Sequence, residues 1–230
     1  MKKYKTDWYL YYLINVTLII LVSFPIYWAF VSSIKQPDEL ITNTPTLFPK
    51  NPTFESYERI WNLEPTSSRG NIRSAFMNSA IVSIGTVVVS AVISTLAAYA
   101  LTILRTPFRH FIFLLIIMPI LIPGISLLIP LYKLVRELGL MNSYLGLILI
   151  HSTGMLTLGV FLMRNAFMSI PTSLREVALL EGSSELRIMF TVMLPLAIPG
   201  LLTLMVFALY GSWNDFILAF LFVNTIDMEM

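Results

Sequence analysis

The stretch that decides the fold is SLREVALLEG at residues 173–182, and ten residues after its glycine comes VMLP at 192–195. Long apolar segments lie on both sides of this polar stretch, so it belongs in a loop outside the lipid. Leu174, Val177 and Ala178 recur in it at helical spacing and share one face. A short helix with an apolar face outside the membrane predicts a docking surface for another protein.

The composition of the whole chain indicates a membrane protein. Hydrophobic residues make up 57% and charged residues 12%, with a mean hydropathy of +0.78, whereas about a quarter of a soluble domain is charged. A helical span needs about 20 mostly apolar residues. Five stretches qualify, at 10–34, 75–104, 111–134, 145–163 and 194–223. The first is too long for a signal-peptide core and lacks a small-residue cleavage site, so we interpret it as a retained span.

Several classes of function are disfavoured by what the composition lacks. The net charge is only +2 and no lysine-rich or arginine-rich tract occurs, so nucleic-acid binding is not expected. The chain has no cysteine, which excludes disulfides and cysteine-ligated metals, and we predict no metal site. It also has no Gly-Lys pair, so the phosphate-binding loop of an ATPase is absent. We therefore expect neither a cofactor nor an enzymatic activity in this chain.

Charge and proline patterns predict the topology. The segments 2–5 and 105–110 contain basic but no acidic residues, which places them, and with them the N-terminus, in the cytoplasm. The same alternation puts residues 164–193 in a cytoplasmic loop and residues 35–73 outside. Five prolines make the outer loop irregular, with one helix predicted around 54–61. We expect a single membrane domain over residues 1–230.

Two spans have an unusual composition. Pro119, Pro123 and Pro130, with Gly124, interrupt the third span, which must be kinked or broken. Either the neighbouring helices accommodate the kink, or the bend opens a cavity or a hinge. The second span carries small residues that favour close helix packing and contact with another subunit; they are Ser79, Ser83, Ser90, Ser94, Ala97 and Ala98.

The ends of the polar helix are also predicted. Ser173 and Glu176 have the spacing of a capping box, in which each side chain accepts a backbone N–H near the helix start. Gly182 lies where a left-handed residue ends a helix at low cost, and Ser183 or Ser184 can begin the next segment. Capping and periodicity alone leave open an amphipathic helix that rests on the membrane surface.

A longer pattern surrounds this helix. It consists of RNAF at 164–167, IP at 170–171, SLREVA at 173–178, EG at 181–182, LPL at 194–196 and Pro199, with IPLY at 129–132, LGLMNS at 138–143 and WN at 213–214. This pattern covers most of the chain and resembles the carbohydrate-type, maltose-transporter-like permease subunits of binding-protein-dependent ABC importers. The resemblance implies an all-α polytopic bundle of the type I permease fold, normally with six spans, whereas we find five.

The resemblance also implies the partners and the function. Residues 173–182 match the EAA loop that docks on an ATPase, and the implied coupling residues are Ser173, Leu174, Glu176, Val177, Ala178, Glu181 and Gly182. Val177 stands where the family has alanine, and Glu181 where aspartate is commoner. The implied partners are an ABC ATPase dimer that binds the ATP, a second and different permease chain, an extracytoplasmic solute-binding protein and membrane lipid. The implied location is a bacterial or archaeal plasma membrane, and the implied cargo is a sugar or oligosaccharide.

Polar residues inside spans are candidates for the cargo pathway because they are unfavourable in lipid. They are Trp213, Asn214, Asp215 and His151. An indole face and nearby amide and carboxylate groups suit a sugar. Alternatively, Asp215 pairs with a positive group on the partner permease, and His151 is a neutral imidazole that hydrogen-bonds a neighbouring helix.

Two other classes of protein share some of these features. A proline-broken span also suits a channel subunit or an ion-coupled secondary transporter. Ser126, after Gly124 and Ile125, together with His151 suggests an intramembrane serine hydrolase, but no third orienting group is evident. The EAA-like loop has no role in an ion-driven carrier, so it favours the importer.

Overall fold

The computed structural model describes residues 3–42, 44–62, 72–104 and 106–223, with side chains described from residue 8 onward. Lys2 and Arg105, which contribute to the predicted orientation, and the residues after 223 lie outside these ranges. Every regular element within them is a helix. The chain divides into two compact units, Met1–Ser67 and Ser68–Met230.

The α-helices have the following bounds: α1 (Lys3–Ser33), α2 (Pro37–Leu40), α3 (Glu55–Trp61), α4 (Ile72–Thr102), α5 (Arg109–Ile117), α6 (Leu128–Glu137), α7 (Tyr144–Met168), α8 (Thr172–Leu180), α9 (Glu185–Ile188), α10 (Leu194–Leu196), α11 (Ile198–Trp213) and α12 (Ile217–Phe222). Three of them, α1 from Trp8, α4 and α7, are uninterrupted and long and apolar enough to cross a membrane. They confirm the first, second and fourth predicted spans.

In the first unit, the loop that follows α1 folds back along the end of that helix. The Tyr27 hydroxyl donates a hydrogen bond to the Leu47 carbonyl at 2.7 Å, and the Tyr57 hydroxyl donates to Ser33 Oγ at 2.6 Å. Lys35 is buried, and its ammonium group lies 4.7 Å from the centre of the Trp28 ring. The predicted helix around 54–61 is confirmed as α3.

The core of the second unit is built around α4, which packs along α7 and α11. Small α4 residues make this packing close: Ser83, Ser90, Ser94 and Ala98 are buried. A Cβ atom added at Gly159 of α7 would lie 2.3 Å from Ser94 Oγ, so only glycine fits there. The buried residues of the small face predicted on the second span therefore pack against helices of the same chain.

The third predicted span is broken, as its prolines indicated. Helix α5 leads into a 3-10 turn at Met118–Leu121, and a second 3-10 turn at Gly124–Leu127 leads into α6. The two halves are bent by 96°. Pro119 and Pro123 lie at the break, whereas Pro130 lies in the first turn of α6, where proline is tolerated because its missing N–H has no helical partner.

The fifth predicted span, 194–223, is wrong as a single helix. Residues 185–196 and α11 form a second bent pair, at 79°, and the chain turns again after Trp213 before α12. Pro199 at the start of α11 fits the first turn of a new helix, and Asp215 accepts the Leu218 N–H in the first turn of α12. Counting each bent pair as one span gives five, in agreement with the predicted number.

Candidate functional site

Helix α8 contains the polar stretch 173–180, and it starts at Thr172, two residues earlier than the predicted cap at Ser173 implies. Its N-cap is Pro171, with φ −59° and ψ 130°, and no side chain makes a capping hydrogen bond. The capping box of Ser173 and Glu176 is therefore wrong. Because the restricted φ of Pro171 suits an extended residue just before a helix, Ser173 falls inside the first turn and not at the cap.

The C-terminal end of α8 confirms the predicted glycine stop. Gly182 has φ +81°, a left-handed conformation that glycine adopts without a Cβ clash. Its N–H donates to the Leu179 carbonyl, and the Ser183 N–H donates to the Ala178 carbonyl, both at 3.0 Å. These two bonds form a Schellman motif, which satisfies carbonyls at the helix end. Ser184 then caps α9 by accepting the Arg187 N–H.

The outer surface of α8 carries an apolar ridge made of Leu174, Val177 and Leu180. All three side chains are exposed, and Leu180 is 89% exposed. Ala178, which shares a face with Leu174 and Val177 in the sequence pattern, is turned inward and packs against the buried cluster around Phe167. Leu180 was missed in the sequence analysis, although its spacing of three residues from Val177 could have indicated it.

Two acidic residues lie beside this ridge. Glu176 and Glu181 are exposed, and within the described ranges neither forms a salt bridge. Because α8 begins at Thr172, Glu176 lies in the second turn of the helix. The outer surface of α8 is thus an apolar strip with negative charge next to it, a combination that complements an apolar groove edged by basic groups.

The inner surface of α8 is held by an ion pair that the sequence analysis did not predict. The Arg175 guanidinium binds both oxygens of Glu185, with Nε 3.2 Å from Oε2 and Nη2 on Oε1. The Tyr99 hydroxyl of α4 donates to Glu185 Oε2 at 3.0 Å. The hydrogen bond to Glu185 is the main cause that raises the pKa of Arg175. No periodicity relates these residues, so no sequence signal could have found the contact.

The polar residues after α11 lie where one helix ends and the next begins. The Trp213 ring packs edge-on against Phe76, with ring centroids 5.3 Å apart. Asn214 Nδ2 donates to the Tyr210 carbonyl at 2.9 Å, and Asp215 Oδ1 accepts the Leu218 N–H at 2.8 Å. These bonds satisfy the end of α11 and the start of α12 from within the segment.

His151, the fourth candidate for the cargo pathway, lies on α7. Its Nε2 atom is buried and has no hydrogen-bond partner in the described part of the chain. Asp215 is close enough to interact with it electrostatically, so the fold brings these two residues into one region. Ser126 of the hydrolase alternative donates its hydroxyl to the Pro123 carbonyl at 2.6 Å, within its own turn.

A shallow cleft of about 320 Å³ lies between α7 and α11. Its walls include Leu162, Ala166, Gly200 and Thr203, and none of the four candidate residues lines it. Beside the cleft the two helices meet closely at Gly200, where an added Cβ would lie 2.5 Å from Ala166 Cβ. The cleft and the candidate cargo residues are therefore separate features.

Long apolar helices, two bent pairs that each count as one span, and a short helix that presents an apolar ridge define a helical membrane protein. Among solved structures, the chain aligns at a TM-score of 0.84 with a chain of a bacterial ABC transporter involved in the import of the acidic polysaccharide alginate. The alignment covers 99% of this chain and 78% of that chain at 22% identity, which shows the fold.

A family model described as the binding-protein-dependent transport system inner membrane component matches residues 90–228. The chain belongs to this family. The matched region includes α8, with its ridge, and the polar residues after α11. The chain is accordingly a multi-pass membrane protein of the ABC permease class.

Two curated relatives agree with this assignment. The sulfoquinovosyl glycerol transport system permease protein SmoH of Agrobacterium fabrum is 33% identical over 199 residues, 86% of this chain and 68% of SmoH. The probable starch degradation products transport system permease protein AmyC of Thermoanaerobacterium thermosulfurigenes is 33% identical over 228 residues, 98% of this chain and 80% of AmyC. The resemblance to carbohydrate-type ABC importer permeases is thereby confirmed.

Proposed function

We propose that this chain forms half of the pathway of an ATP-driven importer and that α8 is the helix by which an ATPase subunit moves it. The observation that carries this proposal is the apolar ridge of Leu174, Val177 and Leu180. Exposed apolar side chains outside the lipid are unfavourable in water unless a partner covers them. The Schellman motif at Gly182 supports it, because it holds the ridge at a defined position.

In this proposal each predicted coupling residue has a defined structural role. Leu174 and Val177, with Leu180, enter an apolar groove of the ATPase. Glu176 and Glu181 pair with basic groups at the edge of that groove. Ala178 holds α8 to its own chain, Ser173 lies in the first turn of the helix, and Gly182 ends it. The ATP is bound and hydrolysed by the partner, so this chain only transmits the movement.

The proposed cargo is a sugar or an oligosaccharide. SmoH and AmyC are named for transport of a sulfoquinovosyl glycerol and of starch degradation products, and this chain is similar to both over most of its length. We propose that the cargo pathway passes Trp213, Asn214, Asp215 and His151, where an aromatic ring and hydrogen-bonding groups lie together. A second permease chain, different from this one, forms the other half, and an extracytoplasmic solute-binding protein delivers the cargo.

The proposed orientation places the N-terminus and α8 in the cytoplasm. It is supported by the acid-free basic segments at 2–5 and 105–110. It brings α8 to the side of the membrane that holds ATP, and it places the loop after α1 where a solute-binding protein could reach it.

The proposal is tested by purifying the complex from native membranes and measuring its ATPase activity. We expect an ABC ATPase to co-purify, and we expect Glu176→Lys to reduce its stimulation by cargo-loaded binding protein. Glu137→Lys makes the same charge change on an exposed residue at the end of α6 and serves as the matched control. Full stimulation in the Glu176→Lys complex, or uptake that proceeds without ATP, would contradict the proposal.

A further inference from the structure

One carboxylate in the second unit is shared by side chains from two other helices. Glu185, the first residue of α9, accepts from the Tyr99 hydroxyl of α4 and from the Arg175 guanidinium of α8. The Arg175 and Glu185 side chains are 25% and 37% exposed, and Tyr99 is almost fully buried. We call Tyr99, Arg175 and Glu185 the three-helix clamp.

The clamp is attached at one end to a buried hydrophobic cluster of the second unit. Tyr99 lies three residues before the end of α4, and its ring packs edge-on against Phe167 of α7, with centroids 5.5 Å apart. Both residues belong to the buried cluster that also contains Met163 and Ile188. The Tyr99 hydroxyl is therefore held at a position that the packing of α4 against α7 determines.

At its other end the clamp holds the inner side of α8. Arg175 extends from α8 toward the core, opposite the apolar ridge. Ala178, one turn later, makes the apolar contact to the same cluster. The turn at Gly182 connects α8 to α9, so Arg175 and Glu185 close a loop around that turn. Helix α8 is thus held to the core by a packed methyl group and by a directional ion pair.

The two attachments differ in what they can transmit. Apolar contact is non-directional, so Ala178 alone would let α8 slide or rotate on the core. A guanidinium that binds both oxygens of a carboxylate restricts direction as well as distance. A partly exposed ion pair adds little stability, so its main effect here is on the geometry of α8 relative to α4.

We propose that the three-helix clamp positions α8 for coupling, so that a displacement of α8 is passed to α4 and not lost in movement of the loop. This inference rests on the proposed function of α8. The clamp residues act through the position of the helix; they bind neither nucleotide nor cargo.

The experiment compares variants in the complete transporter, reconstituted in proteoliposomes. Two quantities are measured: the amount of ATPase that co-purifies, and the number of ATP molecules hydrolysed per cargo molecule imported. In Glu185→Gln we expect normal ATPase recovery and a ratio of ATP to cargo that rises at least about fivefold, the low end of coupling between sites. Tyr99→Phe, which keeps the ring on Phe167 but removes the hydroxyl that joins α4 to Glu185, should also raise the ratio.

Two controls separate positioning from simple destabilisation. The charge swap Arg175→Glu with Glu185→Arg should return the ratio toward that of the unmodified transporter, while each single reversal raises it. Arg109→Gln removes a charge from an exposed residue at the start of α5 and should leave the ratio unchanged.

The outcomes distinguish the clamp from the proposed function. If no ATPase co-purifies with the unmodified chain, the proposed function fails and the clamp with it. If the unmodified complex is coupled and Glu185→Gln keeps its ratio of ATP to cargo, the clamp alone is overturned. Loss of ATPase from the single variants without recovery in the charge swap would also overturn it.

Discussion

Helix α8 and the segment 213–218 both interrupt apolar sequence with polar residues, and they arrange their side chains in opposite ways. On α8 the apolar side chains face outward, with Leu180 89% exposed, while the charged Arg175 turns inward to Glu185. In the segment 213–218, Asn214 and Asp215 bond to backbone groups three or four residues away. The apolar ridge of α8 needs a partner outside the chain to cover it, whereas the polar groups of segment 213–218 are hydrogen-bonded within that segment.

This difference indicates where a partner is needed. Local hydrogen bonds at helix ends account for Asn214 and Asp215 without any ligand, since polar groups at such ends must be paired. Nothing in the described part of the chain covers the apolar ridge of α8. Burial of apolar surface contributes about 25 cal/mol per Å², so covering the ridge favours a bound partner. The ridge therefore supports the functional proposal more strongly than the residues inside the span do.

The largest expected effect comes from placing a charge on the ridge. Leu180→Asp should reduce ATPase recovery at least about tenfold, because burying an unpaired carboxylate in an apolar groove costs well over 1.4 kcal/mol. Pull-down from detergent-solubilised membranes measures this. Ile41→Asp makes the same change at a residue of the other loop that is 87% exposed. Equal ATPase recovery in both variants would show that α8 is no more important for binding the ATPase than the rest of the surface.

Gly182 tests whether the end of α8 must be rigidly defined. Gly182→Val should reduce cargo-stimulated ATPase activity severalfold, because a β-branched residue at φ +81° costs about 1–2 kcal/mol and weakens the Schellman motif. Gly182→Asn should be milder, since asparagine tolerates the left-handed region. Hydrogen exchange of residues 172–183 checks the local loosening. Equal activity of the two variants would show that the backbone conformation at Gly182 does not affect coupling.

Asp215 tests whether the polar segment 213–218 is satisfied without a partner. Asp215→Asn retains an oxygen that can accept the Leu218 N–H, so we expect uptake within about twofold of the unmodified level. Asp215→Ala removes the acceptor and should destabilise the start of α12 by about 1 kcal/mol. Uptake assays with thermal unfolding measure both. Complete loss of uptake in a folded Asp215→Asn protein would mean that the charge itself contacts cargo or a partner.

The smallest expected effect is at Ser173. Because it makes no capping hydrogen bond, Ser173→Ala should change the free energy of unfolding by less than about 0.5 kcal/mol. Ser143 provides the matched comparison, since its Oγ accepts the Gly146 N–H at 3.0 Å and caps α7; Ser143→Ala should cost about 1 kcal/mol. Thermal unfolding in detergent compares the two. A larger loss at Ser173 than at Ser143 would restore the capping role predicted from the sequence.

Sequence reasoning succeeded where the cause is local. The break in the third span follows from Pro119 and Pro123, which lack the N–H that a continuous helix requires. The stop after α8 follows from Gly182, and the long helices follow from runs of apolar residues. In each case the deciding property belongs to the residue itself or to its immediate neighbours, so the pattern of the chain suffices to predict it.

Sequence reasoning failed for structural features that depend on residues distant in the chain. The interval 194–223 is apolar enough for one span, yet it contains two bends. Ala178 shares a helical face with Leu174, and only the buried cluster decides that Ala178 is covered while Leu174 is exposed. The small residues of α4 predict close packing correctly, but periodicity cannot say whether the packed helix belongs to the same chain.

The amino-acid sequence by itself determined that this protein is a helical membrane permease, where its long helices lie and where a short helix stops between spans. Apolar side chains, proline and glycine affect the backbone only within a few residues, so their positions in the sequence are enough to predict these features. Only the tertiary structure decided which side of α8 faces outward and that Tyr99, Arg175 and Glu185 meet. These three residues belong to separate helices, and their contact exists because α4 packs against α7 and the turn at Gly182 reverses the chain.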